Sequence, residues 1–139
     1  MKSMKFIGVL FTLFLAVSCS TTDTTGILDF TFGEEFEIPY DVEISASNSN
    51  LSIKVISIQD NRCPVGLQCV WEGNIVLGVE IKVDNQVTVK EISSLLANGD
   101  DAAIEFEGYR FKLLGATPEN TADGVQATDY VFTFLIEEI

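Results

Sequence analysis

The residue types most capable of chemistry lie in one segment, DNRCPVGLQCVWEG, at residues 60 to 73. Cys63 and Cys69 could form a redox pair or part of a zinc site, but they lack CxxC spacing and the chain has no His. A structural disulfide is therefore the better interpretation of their spacing. Pro64 and Gly66 suit the tight turn that so short a ring requires.

Trp71 is the only tryptophan and follows the second cysteine closely. In an extended strand, Cys69, Trp71 and Gly73 share one face. The indole would then lie beside the disulfide, with Gly73 making room for it. The sequence favours a core position for Trp71, where it closes one end of the domain. The alternative is a platform on which a ligand stacks.

Arg62 is the one basic residue of this segment. An ion pair with Asp60 or Glu72 would hold the ring in place, and we favour this interpretation. A clamp for a substrate carboxylate is the alternative, because a guanidinium binds a carboxylate through two parallel hydrogen bonds. The predicted structural cluster around the two cysteines consists of Asp60, Arg62, Pro64, Trp71 and Gly73.

The same residues carry a family resemblance. The segment resembles the D-x-R-C-P-x-G-x-x-C-x-W-x-G signature of small exported proteins and lipoproteins of bacteria, often from the Bacteroidota, an uncharacterised family. The matching residues are Asp60, Arg62, Cys63, Pro64, Gly66, Cys69, Trp71 and Gly73. More loosely, the similarity covers most of a β-rich domain with the signature near its middle. The resemblance implies export and a disulfide, and it adds no catalytic residue.

The sequence contains no recognisable catalytic machinery. There is no His to act as a general base and no GxSxG nucleophile motif. Carboxylate pairs can cleave glycosides, but nothing marks one pair out among the many acidic residues. Calcium could bind at residues 98–101 or around Asp123 and Asp129, but neither segment has EF-hand spacing. We therefore predict a protein that is not an enzyme and that uses no metal and no cofactor.

The N-terminal segment has the pattern of an export signal. Lys2 and Lys5 precede an apolar run over residues 6–17 that is too short for a membrane span, which needs about 20 residues. We predict a signal peptide at residues 1–18. Small residues before Cys19 suit the general signal peptidase, whereas LAVSC also resembles a bacterial lipobox.

We favour lipidation of Cys19, although Ala16 stands where a lipobox usually has Leu. Acylation would leave the other two cysteines as an even pair in an oxidising compartment. The small polar residues that follow are typical of a flexible tether, so residues 19–26 are predicted to be a lipidated N-terminus and tether.

The charge balance limits the partners. The chain has 8 Lys and Arg against 21 Asp and Glu, and the two basic residues of the signal peptide leave with it. Nucleic acid and anionic membrane surfaces bind through positive charge, so neither is expected as a partner. Attachment to the bilayer must then come from the lipid on Cys19.

From residue 27 onward the dominant hydrophobic period is two, which indicates strands. Pro39 suggests an edge strand or a break, and a phase slip near Val55-Ile56 predicts a β-bulge. About eight short strands indicate an all-β, antiparallel β-sandwich or partly closed barrel, forming one domain over residues 27–139. The loop at residues 117–128 is a candidate binding loop by its position.

Three strand arrangements can be predicted in detail. A loop over residues 84–86 would pair Val83 with Val87 and place Glu80 opposite Lys90. A two-residue turn at Glu107-Gly108 would pair two aromatic residues and form a second hairpin. The residues predicted to share one face of the last strand are Tyr130, Phe132, Phe134 and Ile136.

The sequence therefore predicts a lipid-anchored domain of the bacterial cell envelope, an outer-membrane lipoprotein facing the periplasm or the exterior. The leading hypothesis is a non-catalytic binding or accessory module for a protein or a glycan. The alternative is a protease inhibitor that presents the ring, and this requires Val65 and Leu67 to face solvent. A structural component of the envelope is the third hypothesis.

Overall fold

The structure, a computed structural model, describes residues 28–94 and 103–139. The predicted signal peptide, Cys19 and the tether lie outside these residues, as does the candidate calcium segment 98–101. Within the described ranges, no helix is long and apolar enough to span a membrane.

The regular structure of the described residues consists of nine strands and one short 3₁₀ helix, Ala127–Asp129. The strands are β1 (Asp29–Phe30), β2 (Glu35–Pro39), β3 (Glu43–Ala46), β4 (Leu51–Asp60), β5 (Ile75–Val83), β6 (Gln86–Ser93), β7 (Ala103–Phe106), β8 (Tyr109–Thr117) and β9 (Val131–Glu138). One sheet has the order β1-β3-β4-β5-β6 and the other has the order β2-β9-β8-β7. In the described part of the chain the sheets do not close into a barrel, so the predicted all-β sandwich is confirmed.

The strand pairing is antiparallel except at the N-terminal end of the domain, where Asp29 of β1 pairs in parallel with Ser45 of β3. Pro39 ends β2, which is an edge strand of its sheet, and the chain then crosses to the other sheet as β3. Edge position and strand break, the two outcomes predicted from this proline, therefore both occur.

The core lies between the sheets and follows the period-two pattern. In the last strand, Phe132, Phe134 and Ile136 are buried, and Tyr130 just before it is buried as well, as predicted. The predicted bulge is present in β4, where the register with β5 shifts between Val55 and Ser57. The extra residue restores the inward alternation, because Ile58 then packs against the core.

The two predicted hairpins had different outcomes. The Glu107-Gly108 turn is confirmed, with Phe106 paired to Tyr109. The hairpin between β5 and β6 was wrong by one residue, because the turn contains only Asp84 and Asn85 and pairs Val83 with Gln86. Asp84 adopts a positive φ of 53°, which a two-residue hairpin turn needs and which Asp tolerates.

This one-residue shift reverses the faces of β6. Val87 was expected opposite Val83, but Val87 and Val89 lie on the solvent side and are 53% and 56% exposed. Lys90 pairs with Val79 rather than Glu80, and its Nζ lies 5.1 Å from the centroid of the Phe106 ring.

Candidate functional site

The predicted disulfide is present and closes a ring from Cys63 to Cys69, with 5.9 Å between the two Cα atoms. The ring lies between β4 and β5. Inside it, the Leu67 N–H donates to the Pro64 carbonyl at 3.1 Å, and Gly66 has a φ of 83°. The ring therefore contains a tight turn, as Pro64 and Gly66 indicated, and the chain does not run through it as an extended strand.

Arg62 fixes the start of the ring to neighbouring elements. Its Nε and Nη2 donate to the two carboxylate oxygens of Asp60 at 2.9 and 2.7 Å. Its Nη1 donates to the Ala116 carbonyl and Nη2 donates to the Pro118 carbonyl, each at 2.8 Å. Of the two predicted partners, the structure selects Asp60. Because every nitrogen of the guanidinium is already engaged, the arrangement does not favour the alternative of a substrate-carboxylate clamp.

Asp60 links this ion pair to the core. Its side chain is 6% exposed, and one of its oxygens also accepts a hydrogen bond from the Tyr130 hydroxyl at 2.8 Å. Burial by itself would raise the pKa of Asp60, but hydrogen bonds from Arg62 and Tyr130 outweigh it and hold the pKa below its usual value. Burial, together with the hydrogen bond to Asp60, raises the pKa of the Tyr130 hydroxyl.

The β8–β9 loop, residues 118–130, supports the other side of the ring. The Val65 N–H donates to the Asn120 carbonyl at 2.9 Å, and the Asn120 side chain returns a hydrogen bond to the Arg62 carbonyl at 2.8 Å. The Cys63 N–H donates to the Glu72 carbonyl at 2.8 Å. The ring segment is thus held by its disulfide, by the ion pair of Arg62 with Asp60 and by these hydrogen bonds. The candidate binding loop predicted at residues 117–128 supplies the two contacts made by Asn120.

Gly73 allows the two ends of the ring segment to approach closely. It is buried and has a φ of 75°. A Cβ atom at this position would collide with the Asn61 carbonyl group. The adjacent Asn61 N–H donates to the Asn74 carbonyl at 2.7 Å, so the backbones run side by side here. The space beside Gly73 is thus taken by this backbone, and the prediction that it accommodates the indole was wrong.

The ring and the residues after it expose four apolar side chains. The exposed patch consists of Val65, Leu67, Val70 and Trp71, with exposed fractions of 58%, 56%, 105% and 60%. The prediction of a core position for Trp71 was wrong. It rested on strand periodicity, but residues 61–74 contain no strand, because the disulfide and Gly73 turn the chain.

No family model, curated protein or solved structure matches the chain. A groove of about 320 Å³ lies between the ring and the β8–β9 loop, and it is lined in part by Val65, Glu72 and Glu119. It opens beside the exposed patch, since Val65 belongs to both.

Among the described residues, no group of three or more Cys, Asp or Glu side chains converges on a position where a metal ion could bind. Sequence reasoning singled out the ring but missed Asn120 and Tyr130, which hold it. The only signal for Asn120 was its place in a long loop without apolar periodicity, and no sequence signal indicated that the Tyr130 hydroxyl would reach Asp60.

The disulfide is expected to contribute measurably to stability. Opening a seven-residue ring releases chain entropy worth about 2.4 kcal/mol, so a Cys63→Ser/Cys69→Ser variant should lose that much free energy of unfolding. Urea denaturation measures the loss, and a reductant should produce it in the wild type and leave the variant unchanged. A wild type that reductant does not destabilise would contradict the prediction.

The lowered pKa of Asp60 predicts a specific acid dependence. Its contribution to stability is complete above the unfolded-state pKa of about 3.9 and is lost as the pH falls through the lower folded-state pKa. Asp60→Asn should therefore be less stable by about 2 kcal/mol at neutral pH, and the difference should shrink below pH 4. Unfolding free energies measured between about pH 2 and 7 provide the comparison. A difference independent of pH would contradict it.

Proposed function

We propose that the protein is a lipid-anchored, non-catalytic module of the bacterial cell envelope that binds a partner protein through the exposed patch. One observation carries the proposal: four apolar side chains project into solvent from a segment that a disulfide and an ion pair hold in place. Nine large apolar side chains are exposed in the described residues, and these four fall within seven consecutive positions, 65–71. Such a concentration of exposed apolar surface often marks a site where a partner binds. The patch therefore has the character of a recognition surface.

The rigidity of the ring supports binding in a second way. Association loses free energy when flexible groups become ordered, and a preformed loop avoids most of that loss. Trp71 also belongs to the residue types that dominate the binding energy of protein interfaces. A fixed loop that carries an exposed Trp beside aliphatic neighbours is therefore well suited to a protein surface. It is less suited to a glycan, because the four side chains of the patch offer no hydrogen-bonding group except the Trp71 indole N–H.

The distance of the patch from β1, the first described strand, agrees with this role. Asp29, at the start of β1, pairs with Ser45, which in turn pairs with Ser52 of β4. From Ser52, β4 runs to Asp60 at the start of the ring segment, roughly 25 Å along the strand. A tether that enters at β1 would join the domain far from the patch and would leave the patch free to face away from the anchoring membrane.

A protease inhibitor is the second candidate function, and the exposure of Val65 and Leu67 favours it. The turn between Pro64 and Leu67 limits how it could act. A substrate-like inhibitor inserts an extended segment that pairs with the cleft as an added strand. This ring could only block a cleft from outside. Inhibition of an envelope protease that is lost in a Leu67→Ser variant would establish it.

The proposed function is tested by comparing two double variants as bait in envelope extracts. Val70→Ser/Trp71→Ser removes half of the exposed patch, while Val87→Ser/Val89→Ser changes equally apolar, exposed positions on β6. We expect one protein to bind the wild type and the β6 variant but not the patch variant. Capture that is the same for all three would overturn the proposal. Patch-dependent capture of a glycan would overturn the choice of a protein partner.

The anchor has its own test. Intact-mass analysis of protein purified from membranes should show Cys19 as the first residue, carrying acyl chains. An unmodified N-terminus at that position would contradict the lipid anchor. That result would not decide whether the exposed patch binds a partner, which the capture experiment tests separately.

A further inference from the structure

The charges near the exposed patch indicate what kind of partner it fits. Segments 60–75 and 117–131, which meet at this end of the sandwich, contain a single cation, Arg62. That cation is neutralised by Asp60. The acidic rim is defined here as the four remaining acidic residues of these segments, all of them exposed: Glu72, Glu119, Asp123 and Asp129.

The acidic rim contrasts with the faces of the sheets. There, cations offset part of the acidic excess, as in the ion pairs of Lys54 with Asp41 and of Lys82 with Glu43. At the patch end, Glu72 and Glu119 line the same groove as Val65. Arg62 lines it too, but its nitrogens donate to Asp60 and to two backbone carbonyls. An apolar surface is therefore directly bordered by uncompensated negative charge.

We propose, on the basis of the proposed function, that the partner is a protein surface with an apolar centre bordered by Lys or Arg side chains. The apolar centre covers the exposed patch, and one basic side chain enters the groove between Glu72 and Glu119. Interfaces that bury apolar surface and place opposite charges at the rim gain both affinity and orientation.

The acidic rim makes two other partners of the exposed patch unfavourable, a second copy of the chain and an anionic bilayer. A second copy of the chain would bring two acidic rims together, and like charges repel at an interface. An anionic bilayer would repel the acidic rim in the same way, and the patch lies far from the point where the proposed tether joins β1.

The inference is tested with a phage-displayed library of random peptides, screened against the full-length protein purified from membranes in detergent. Three versions are compared: the wild type, the patch variant Val70→Ser/Trp71→Ser, and the rim variant Glu72→Gln/Glu119→Gln/Asp123→Asn. We expect the wild type to enrich peptides that combine apolar residues with Lys or Arg. The best of these should bind about thirtyfold more weakly to the patch variant and about tenfold more weakly to the rim variant.

Ionic strength separates the two contributions. Raising the salt from about 50 to about 500 mM should weaken peptide binding to the wild type and leave binding to the rim variant nearly unchanged. Enrichment of acidic or uncharged peptides that bind the wild type and the rim variant equally would overturn the basic partner and leave the proposed function standing. If no peptide distinguishes the wild type from the patch variant, the proposed function itself fails.

Two further measurements address the other occupants. Binding of the wild type to phosphatidylglycerol or phosphatidylcholine vesicles should not depend on the patch; a loss of vesicle binding in the patch variant would assign the patch to a membrane and overturn the inference. Sedimentation should give the same oligomeric state for the wild type and the patch variant. A dimer that the patch variant abolishes would make a second copy the occupant.

Discussion

A Gly73→Ala variant is expected to lose roughly 3 kcal/mol or more of its free energy of unfolding. Two effects add. Alanine is strained at the φ of 75° that Gly73 adopts, and its Cβ would collide with the Asn61 carbonyl group. The collision cannot be relieved by a side-chain rotation, because the obstacle is backbone that is itself held by the hydrogen bond from Asn61 to Asn74. Urea denaturation with intact disulfide measures the loss.

Gly66→Ala is the matched control for this variant. Gly66 has a similar φ of 83°, but no atom lies within 4 Å of the position its Cβ would take. It should therefore show the conformational strain alone, about 1 kcal/mol. Equal losses in the two variants would contradict the close backbone approach at Gly73.

Arg62→Ala is expected to lower the free energy of unfolding by about 2 to 3 kcal/mol, somewhat less than is typical of a fully buried ion pair. The expected loss is smaller than for a fully buried pair because the Arg62 side chain is 21% exposed, whereas that of Asp60 is 6% exposed. Removing the guanidinium leaves the buried Asp60 carboxylate with the Tyr130 hydroxyl as its remaining side-chain partner. It also releases the carbonyls of Ala116 and Pro118, which tie the ring segment to β8 and its loop.

Arg110→Ala provides the comparison within the same chain. Arg110 also donates to a carboxylate, that of Glu105, at 2.7 Å, but this pair is 36% and 56% exposed. Its removal should change the free energy of unfolding by less than about 1 kcal/mol. If Arg62→Ala were no more destabilising than Arg110→Ala, the role of Arg62 in holding the ring would be wrong.

Local signals in the sequence were sufficient wherever one residue type dictated the backbone. Glu107-Gly108 admits a single turn length, so its hairpin register followed correctly. The phase slip in β4 likewise indicated the bulge between Val55 and Ser57. Asp84, Asn85 and Gln86 are all compatible with a loop, and nothing local distinguishes a two-residue from a three-residue turn. The register of β6 was therefore missed by one residue.

The structure of the ring segment could be predicted from its local sequence only in part. Spacing and the absence of His were enough to predict the disulfide, and the acidic residues near Arg62 limited its expected partner to Asp60 or Glu72. The position of Trp71 required knowing that Gly73 adopts a positive φ and that no strand forms between the end of β4 and the start of β5. The contacts that hold the ring, from Asn120 and Tyr130, join residues more than fifty positions apart, and only tertiary packing determines them.

Site-specific photo-crosslinking in intact cells tests the role of the exposed patch most directly. A photoreactive residue replaces Val70, whose side chain is fully exposed, and in a parallel strain it replaces Val87 on the outer face of β6. We expect one discrete crosslinked protein from position 70 that is absent from position 87. No product from position 70, or the same products from both positions, would contradict the assignment of the patch as the partner-binding surface.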